Sequence, residues 1–218
     1  MDFDSIVQKR RSVRKFLSVP LERDLWTSII AAGALAPSSG NLQNWKVIVI
    51  ENADQKEKLA HICYSQMWMA NAAILLVVCA DTKTATQFYG VRGDRLYSVQ
   101  NCAAMIQTML LKATELGIGS CWVSAFDETK LKVHLAIPDN ARPQAIVALG
   151  YADEVVPQPP LKQYVEFVYF NTYGNSLSDN IRDIHYRNFG RLVARHTKGI
   201  AQTFSDIKEK ALSLIRGK

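Results

Sequence analysis

A chain of 218 residues, 48% of them hydrophobic, is long and apolar enough to bury a sizeable core, which excludes an intrinsically disordered protein. The longest apolar run, Ala72 to Ala80, is far shorter than the roughly 20 residues of a membrane-spanning helix, so no membrane association is expected. The net charge of +6 lies mostly from Ser178 onward, where nine Lys and Arg stand against four Asp and Glu.

The first third of the chain contains two predicted helices followed by a predicted strand. Phe3 to Lys9 suits a short helix, and Leu21 to Leu35 suits a second one because Pro20 stands where helix starts favour proline. A loop with small polar residues, 36–41, interrupts the pattern. Trp45 to Glu51 is rich in β-branched residues and predicts a strand.

The middle of the chain continues the alternation. Asp54 to about Tyr64 begins with a capping-box pattern and predicts a helix, and Ala73 to Cys79 predicts the next strand. Apolar residues recur every three or four positions from Arg95 to Leu116, which predicts a long amphipathic helix that Gly117 ends. The preceding segment, Phe88 to Arg95, fits a loop that leads into this helix or, alternatively, a lid over a substrate site.

Short apolar strands and a helical tail complete the pattern. The remaining predicted elements are strands at Gly119 to Val123 and Ala145 to Tyr151, a strand or arm at Tyr164 to Phe170, and two helices from about Asp179 to Arg216. Strands separated by helices in this way predict a central mixed β-sheet flanked by helices, in an α/β or an α+β fold, and we expect the α+β class. Residues 1–177 would form one domain and residues 178–218 a basic helical C-terminal extension.

The basic extension fits two interpretations. Four of its arginines, Arg182, Arg187, Arg191 and Arg195, could bind nucleic acid or an anionic surface, or they could form the solvated face of a helix. We favour the solvated face and expect no nucleic-acid partner.

The cysteines and histidines show no spacing typical of a metal site. Cys63, Cys79, Cys102 and Cys121 are widely separated without a CxxC pair, so we expect buried free thiols, with neither a disulfide framework nor a metal. Acidic residues near Met1 stand where a signal peptide carries basic ones, which predicts a cytoplasmic protein. Nucleotide signatures such as GxGxxG are absent from the sequence, which disfavours a Rossmann domain.

A basic cluster follows the first predicted helix. Arg10, Arg11 and Arg14, with Ser12 between them, provide three cations and a hydroxyl, and guanidinium groups bind phosphate oxygens in a two-pronged arrangement. The cluster therefore predicts a phosphate site. It equally fits a charged helix end that the helix dipole stabilises.

A second polar segment precedes the first strand. The run from Pro37 to Asn44 concentrates serine, asparagine and glutamine, whose hydroxyl and amide groups can pair with the ribityl hydroxyls and pyrimidine edge of a flavin. The same composition is also common in ordinary turns.

Three motifs in order, RRSVRKF, APSSGNLQNW and ELGIGSCWVSAFD, resemble the nitroreductase family of FMN enzymes. The stretch VYFNTYGN also resembles the end of that family's domain, so the resemblance covers about residues 3–177. It implies a nitroreductase-like fold and a homodimer in which each FMN lies at the interface. Residues 1–177 would then be the FMN-binding domain.

The resemblance also implies roles for particular residues. Arg10 and Ser12 would contact the FMN phosphate or ribityl chain, and Arg14 would reach the N1 side of the ring. Arg11 would belong to the same set of cofactor-binding residues. The loop residues that match the family are Pro37, Ser38, Ser39, Asn41 and Gln43. Gln66 would face the pyrimidine edge, and Gly119 would also belong to the cofactor site. The backbone of Ser124 and Ala125 would face flavin N5.

Two positions depart from the family's pattern. Asn44 stands where a proline usually precedes the tryptophan, and Gln158 and Pro159 stand where many relatives have a further cation. Lys162 is the candidate to replace that cation.

The implied reaction is a ping-pong transfer of hydride from NADH or NADPH, through flavin N5, to an organic acceptor such as a nitroaromatic or quinone, without a catalytic side chain. Two alternatives stay open. One is a specialised flavin reaction on the same fold, such as reductive dehalogenation or dehydrogenation. The other is a flavin-binding module whose basic tail binds polyanions.

Overall fold

The structure, a computed structural model, describes residues 2–163 and 166–175. These residues form two compact units, residues 2–154 and the described residues from 155 onward. The predicted C-terminal helices from about Asp179 to Arg216 lie outside the described residues, and so does the predicted domain boundary at residue 177.

A four-stranded sheet forms the centre of the first unit. Its strands are β1 (Trp45–Ile50), β2 (Ile74–Asp81), β3 (Gly119–Val123) and β4 (Ala141–Gly150). They are arranged in the order β1-β2-β4-β3, and each neighbouring pair is antiparallel. The four predicted strands are confirmed. The expected parallel pairing is limited, in this unit, to one isolated bridge between Ser12 and Ser120.

Both faces of the sheet are covered at β2. Every residue from Ile74 to Ala80 is buried, as expected for an unbroken apolar run. Residues of β2 and β4 on one face join the main core, where they meet buried side chains of the long helix such as Met105, Ile106 and Met109.

Six helices surround the sheet in the described part of the chain. They are α1 (Phe3–Lys9), α2 (Arg23–Ala34), α3 (Ala53–Ile62), α4 (Thr82–Arg92), α5 (Ser98–Glu115) and α6 (Glu128–His134). Helix α1 has the predicted bounds, and α2, α3 and α5 lie within the predicted ranges or shift by a residue. No helix among these residues is both long and apolar enough to cross a membrane.

The N-terminus of α3 differs in detail from the prediction. The side chain of Asn52 caps the helix by accepting a hydrogen bond from the backbone N–H of Gln55 at 3.0 Å. The capping residue thus lies two positions before Asp54, because an asparagine side chain reaches the free N–H groups of the first turn as well as an aspartate does.

The segment before α5 is helical, so the predicted loop at Phe88 to Arg95 is wrong. Helix α4 runs through it with a break at Gly90 (φ 55°, ψ −143°), and a π-helical turn, Gly93–Tyr97, joins it to α5. Most of α4 is exposed and carries no apolar periodicity, so hydrophobic spacing gave no sign of it. The short helix α6 was also not predicted.

The second unit has little regular structure in its described residues. Residues 157–163 are exposed and belong to no helix or strand. A turn closes where the N–H of Phe170 donates to the carbonyl of Asn175 at 2.8 Å. The predicted strand at Tyr164 to Phe170 does not appear in its described part, and Tyr164 and Val165 lie outside the described residues.

Candidate active site

The segment from Arg10 to Leu17, called the arginine segment below, lies against the outer edge of β3. The N–H of Val13 donates to the carbonyl of Ser120 at 2.9 Å, and further along, the N–H of Leu17 donates to the carbonyl of Tyr151 at 2.9 Å. Gly119 permits this approach, since a Cβ there would lie 3.2 Å from Val13 Cγ1. The segment is therefore fixed to the sheet, and its arginines have defined positions.

The three arginines have different environments. The Arg11 guanidinium turns back on α1, where Nη1 donates to the carbonyls of Gln8 at 2.6 Å and Arg10 at 2.8 Å. Burial, and secondarily the charge of Arg10, lowers the pKa of Arg11. Arg11 thus satisfies carbonyls at the end of α1, where a cation also interacts favourably with the helix dipole.

The guanidinium groups of Arg10 and Arg14 do not bind the helix carbonyls that Arg11 binds. Arg10 is half-buried and Arg14 exposed, and neither guanidinium has a hydrogen-bond or ion-pair partner among residues 2–163 and 166–175. The Glu154 carboxylate instead accepts from the backbone N–H groups of Arg14, at 2.5 Å, and Lys15, at 2.9 Å. Two cations are therefore available to an anionic ligand.

The Cys121 thiol of β3 is influenced by these groups. Burial raises the pKa of the Cys121 thiol, and the charge of Glu154 also raises it, while the charges of Arg14 and Arg10 and a hydrogen bond from Ser12 act in the opposite direction. Arg10, Ser12 and Arg14 therefore all lie within interaction range of the middle of β3.

All four cysteines are free and buried, which confirms the prediction of buried thiols. Burial raises the pKa of Cys63 and Cys102 to about 12 and that of Cys79 to about 11. None of these three has the lowered pKa of a reactive thiol.

Two exposed residues, Ser124 and Ala125, follow the end of β3. No acceptor for their N–H groups occurs in the described part of the chain. The Ser124 hydroxyl accepts from the Trp122 indole N–H at 2.7 Å, and the Ala125 carbonyl accepts from the Gln66 amide at 3.3 Å. The structure thus brings Gln66 to Ala125, and β3 links this end to the arginine segment.

The polar loop, residues Pro37 to Gln43, has a strained backbone. Gly40, Asn41 and Gln43 all have positive φ, at 55°, 56° and 46°, a region that residues other than glycine seldom adopt. Side-chain and backbone contacts close the loop on itself. The Gln43 N–H donates to Ser38 Oγ at 3.0 Å and the Gln43 side-chain amide to Asn41 Oδ1 at 2.9 Å. The backbone N–H of Asn41 also donates to the Ser38 carbonyl at 3.0 Å. Pro37, Asn41 and Gln43 are exposed.

Asn101 anchors this loop to α5. Its Oδ1 accepts from both the N–H, at 2.9 Å, and the hydroxyl, at 3.2 Å, of Ser39. Its amide N–H₂ donates to Asn44 Oδ1 at 2.8 Å. Sequence reasoning missed Asn101, although an asparagine on the apolar face of a predicted helix is a signal that a buried polar contact exists.

The predicted residues form three groups in one chain. The first is Arg10, Ser12 and Arg14 beside Gly119, the second is Gln66 with Ser124 and Ala125, and the third is the loop from Pro37 to Gln43. No described hydrogen bond or ion pair joins the loop to the other two groups. Lys162 lies in the second unit, among exposed residues that belong to no helix or strand.

A separate polar cleft of about 620 Å³ contains none of the predicted residues. It is lined by Thr82, Lys83, Thr86, Gln87, Asp94, Glu128, Lys132, Asp139, Asn140, Ala141 and Arg142. Its cations are largely paired, since Arg142 contacts Glu128 at 3.1 Å and Lys132 contacts Asp139 at 3.5 Å. This balance of charge makes the cleft a poorer anion site than the arginine segment.

Comparison with known proteins identifies relatives of the whole first unit. The sequence profile of the Nitroreductase family matches residues 7–70 and 63–151. The NADPH-flavin oxidoreductase of Vibrio harveyi is 30% identical over 160 residues, covering 69% of this chain and 67% of that protein. The NADH dehydrogenase of Thermus thermophilus is 29% identical over 181 residues, covering 71% of this chain and 88% of that protein.

A solved structure shares the fold. The Vibrio harveyi NADPH:FMN oxidoreductase complexed with NAD⁺ aligns with a TM-score of 0.71 at 23% identity, covering 88% of this chain and 86% of that chain. The expected α+β, nitroreductase-like fold is confirmed. Because the family profile covers most of the chain in two overlapping matches, the protein belongs to the nitroreductase family.

Proposed function

We propose that the protein is an FMN-dependent oxidoreductase that oxidises NADH or NADPH and reduces an organic acceptor, such as a nitroaromatic or a quinone, in two successive half-reactions. Family membership supports NAD(P)H-dependent flavin oxidoreductase activity, and the relatives in Vibrio harveyi are named for flavin or FMN and NADPH. The observation that carries the proposal is the pair of unpartnered guanidiniums, Arg10 and Arg14, fixed along β3.

The donor chemistry of these residues fits FMN. A phosphate dianion requires cations and hydrogen-bond donors, which Arg10 and the Ser12 hydroxyl provide. Arg14 would place a second cation by the ring, where it favours the reduced, anionic form of a flavin. Because Arg11 is engaged by the α1 carbonyls, we assign it a supporting position beside the site.

The remaining groups would orient the ring. Exposed Asn41 and Gln43 side chains suit the ribityl and pyrimidine polar atoms, together with Pro37, Ser38 and Ser39 of the same loop. The free N–H groups of Ser124 and Ala125 would face the reacting nitrogen, with Gln66 fixing the carbonyl of Ala125. FMN itself would supply the hydride chemistry, so no side chain needs to act as a general acid or base.

A second copy of the chain would complete the site. In one chain the loop and the arginine segment are joined by no described hydrogen bond, and two exposed apolar side chains of α1, Phe3 and Val7, lie one helical turn apart on the same face. We propose a homodimer that brings the loop of one subunit to the arginine segment of its partner. Lys162 would add a cation to the phosphate if it reaches that position.

The absorbance spectrum of the purified protein tests the proposal. We expect a flavin spectrum, either as isolated or after reconstitution with FMN, that NADH or NADPH bleaches under anaerobic conditions. A protein that is colourless and does not bind added FMN would refute it.

A further inference from the structure

A buried hydrogen-bond network connects the polar loop to the interior of the first unit. Asn44 and Asn101 are each 3% exposed and Ser98 is fully buried. The hydrogen-bond network extends from Asn101 to Asn44, whose amide N–H₂ donates to Ser98 Oγ and to the carbonyl of Asp81, both at 3.0 Å. Ser98 in turn donates to the carbonyl of Gly93 at 2.8 Å. The network thus joins the polar loop, the end of β2, the π-helical turn and α5.

The network has a single hydrogen-bonding direction. Asn101 faces the N–H of Ser39 with its Oδ1 and the Oδ1 of Asn44 with its N–H₂. Turning the Asn101 amide over would oppose donor to donor at Ser39 and acceptor to acceptor at Asn44. Buried amides left unsatisfied are costly, so the observed orientation is the stable one.

The loop depends on this contact more than its internal bonds suggest. Among the described residues, Asn101 is the one group outside the loop that hydrogen-bonds to residues 37–43. The positive φ angles of Asn41 and Gln43 are unfavourable by themselves and persist only where surrounding contacts fix them. Ser39 lies two residues before Asn41, so fixing its backbone N–H restrains the part of the loop that leads into the positive-φ residues.

We infer that Asn101 is a positioning residue for flavin binding: it holds Ser39, and through it the exposed Asn41 and Gln43 side chains, in the conformation that meets the cofactor. This inference rests on the proposed function, because the loop's ligand is taken to be FMN. Asn44 and Ser98 act behind Asn101, keeping its amide oriented toward the loop.

The test compares two substitutions at one position. Asn101→Ala removes both the acceptor for Ser39 and the donor to Asn44, whereas Asn101→Asp retains the acceptor for Ser39 but faces Asn44 Oδ1 with a second acceptor. The aspartate variant should therefore lose stability while keeping the contact with the loop, which separates the two contacts of Asn101. We expect the Kd for FMN, from quenching of flavin fluorescence, to rise about tenfold in Asn101→Ala. The Asn101→Asp variant should stay within about threefold of the wild type. The visible circular dichroism of bound FMN at saturation should change in Asn101→Ala only.

A core substitution on the same helix serves as the stability control. Ile106→Val shortens a fully buried side chain of α5 that makes none of these polar contacts, so it should lower the melting temperature without altering the Kd or the dichroism. Equal Kd changes in the two Asn101 variants, or a change in Asn101→Ala no larger than in Ile106→Val, would overturn the inference while leaving the proposed function intact. A wild-type protein that binds no FMN would refute both.

If Asn101→Ala does not fold, amide hydrogen exchange of the wild-type apoprotein decides the question. The N–H of Ser39 should exchange at least tenfold more slowly than an unstructured peptide, because Asn101 holds it before any ligand binds. Exchange at the unstructured rate would overturn the inference.

Discussion

Removal of Arg10 should weaken FMN binding with little effect on stability, whereas removal of the neighbouring Arg11 should lower stability with little effect on FMN binding. Arg10 is half-buried and its guanidinium has no partner in the described structure, so Arg10→Ala should change the free energy of unfolding by less than about 0.5 kcal/mol. A charge-assisted contact with a phosphate contributes about 1.5–3 kcal/mol. The same variant should therefore raise the Kd for FMN by about 10- to 150-fold.

Arg11→Ala should show the reverse pattern. It removes the hydrogen bonds to the carbonyls of Gln8 and Arg10 and a cation at the end of α1, and should lower the free energy of unfolding by about 1–2 kcal/mol. Its Kd for FMN should change by less than about threefold.

Fluorescence titration and urea unfolding measure both quantities in the same preparations. Riboflavin, which lacks the phosphate, is the matched ligand: Arg10→Ala should bind it as the wild type does. The assignment of the phosphate to Arg10 would be refuted if riboflavin affinity fell as much as FMN affinity, or if Arg11→Ala lost more FMN affinity than Arg10→Ala.

Three further predictions concern the ring, the thiols and the tail. Arg14→Ala should lower the potential of the bound flavin by about 20–40 mV, the equivalent of about 1–2 kcal/mol, and slow its reduction. Lys15→Ala is the control, since Lys15 is already paired with Asp153 at 2.9 Å; equal shifts would contradict the role of Arg14. Burial raises the pKa of Cys102 from 9.0 to about 12, so the unfolded chain releases this proton first and stability falls as the pH rises above about 9. Cys102→Ala should reduce the loss of unfolding free energy between pH 8 and 10 by about 1.4 kcal/mol, and an unchanged loss would show that the thiol ionises in the folded state. Truncation before Ser178 should weaken dimerisation or flavin retention in size-exclusion and absorbance measurements; full turnover with loss of polyanion binding would instead favour the binding-module alternative.

The elements that sequence patterns located are those with a strong local signal. The unbroken apolar run of β2 and the three- and four-residue spacing of α5 are each visible in the sequence, because burial dictates both patterns. Helix α4 has no such signal, since most of its residues are exposed. Its path depends instead on Gly93, where a Cβ would lie only 2.0 Å from the Ala85 carbonyl oxygen.

The candidate site was predictable in composition but not in the division of roles. The motif RRSVR contains three identical charges, and only the structure separates Arg11, which binds helix carbonyls, from Arg10 and Arg14, which have no such partner. The link between Ser39 and Asn101 spans 62 residues, a separation that no local pattern conveys. Asn44, which departs from the family's proline, proves to be part of that link.

The pairing of the arginine segment with β3 also bears on aggregation. In the order β1-β2-β4-β3, strand β3 lies at one end of the sheet, and an exposed edge strand can recruit strands of other molecules. The N–H of Val13 occupies the Ser120 carbonyl on that edge. Val13→Pro would remove this donor and uncover part of the edge. The variant should therefore be less soluble on overexpression, and added flavin should not restore its solubility, because the exposed edge and not a missing cofactor would cause the aggregation.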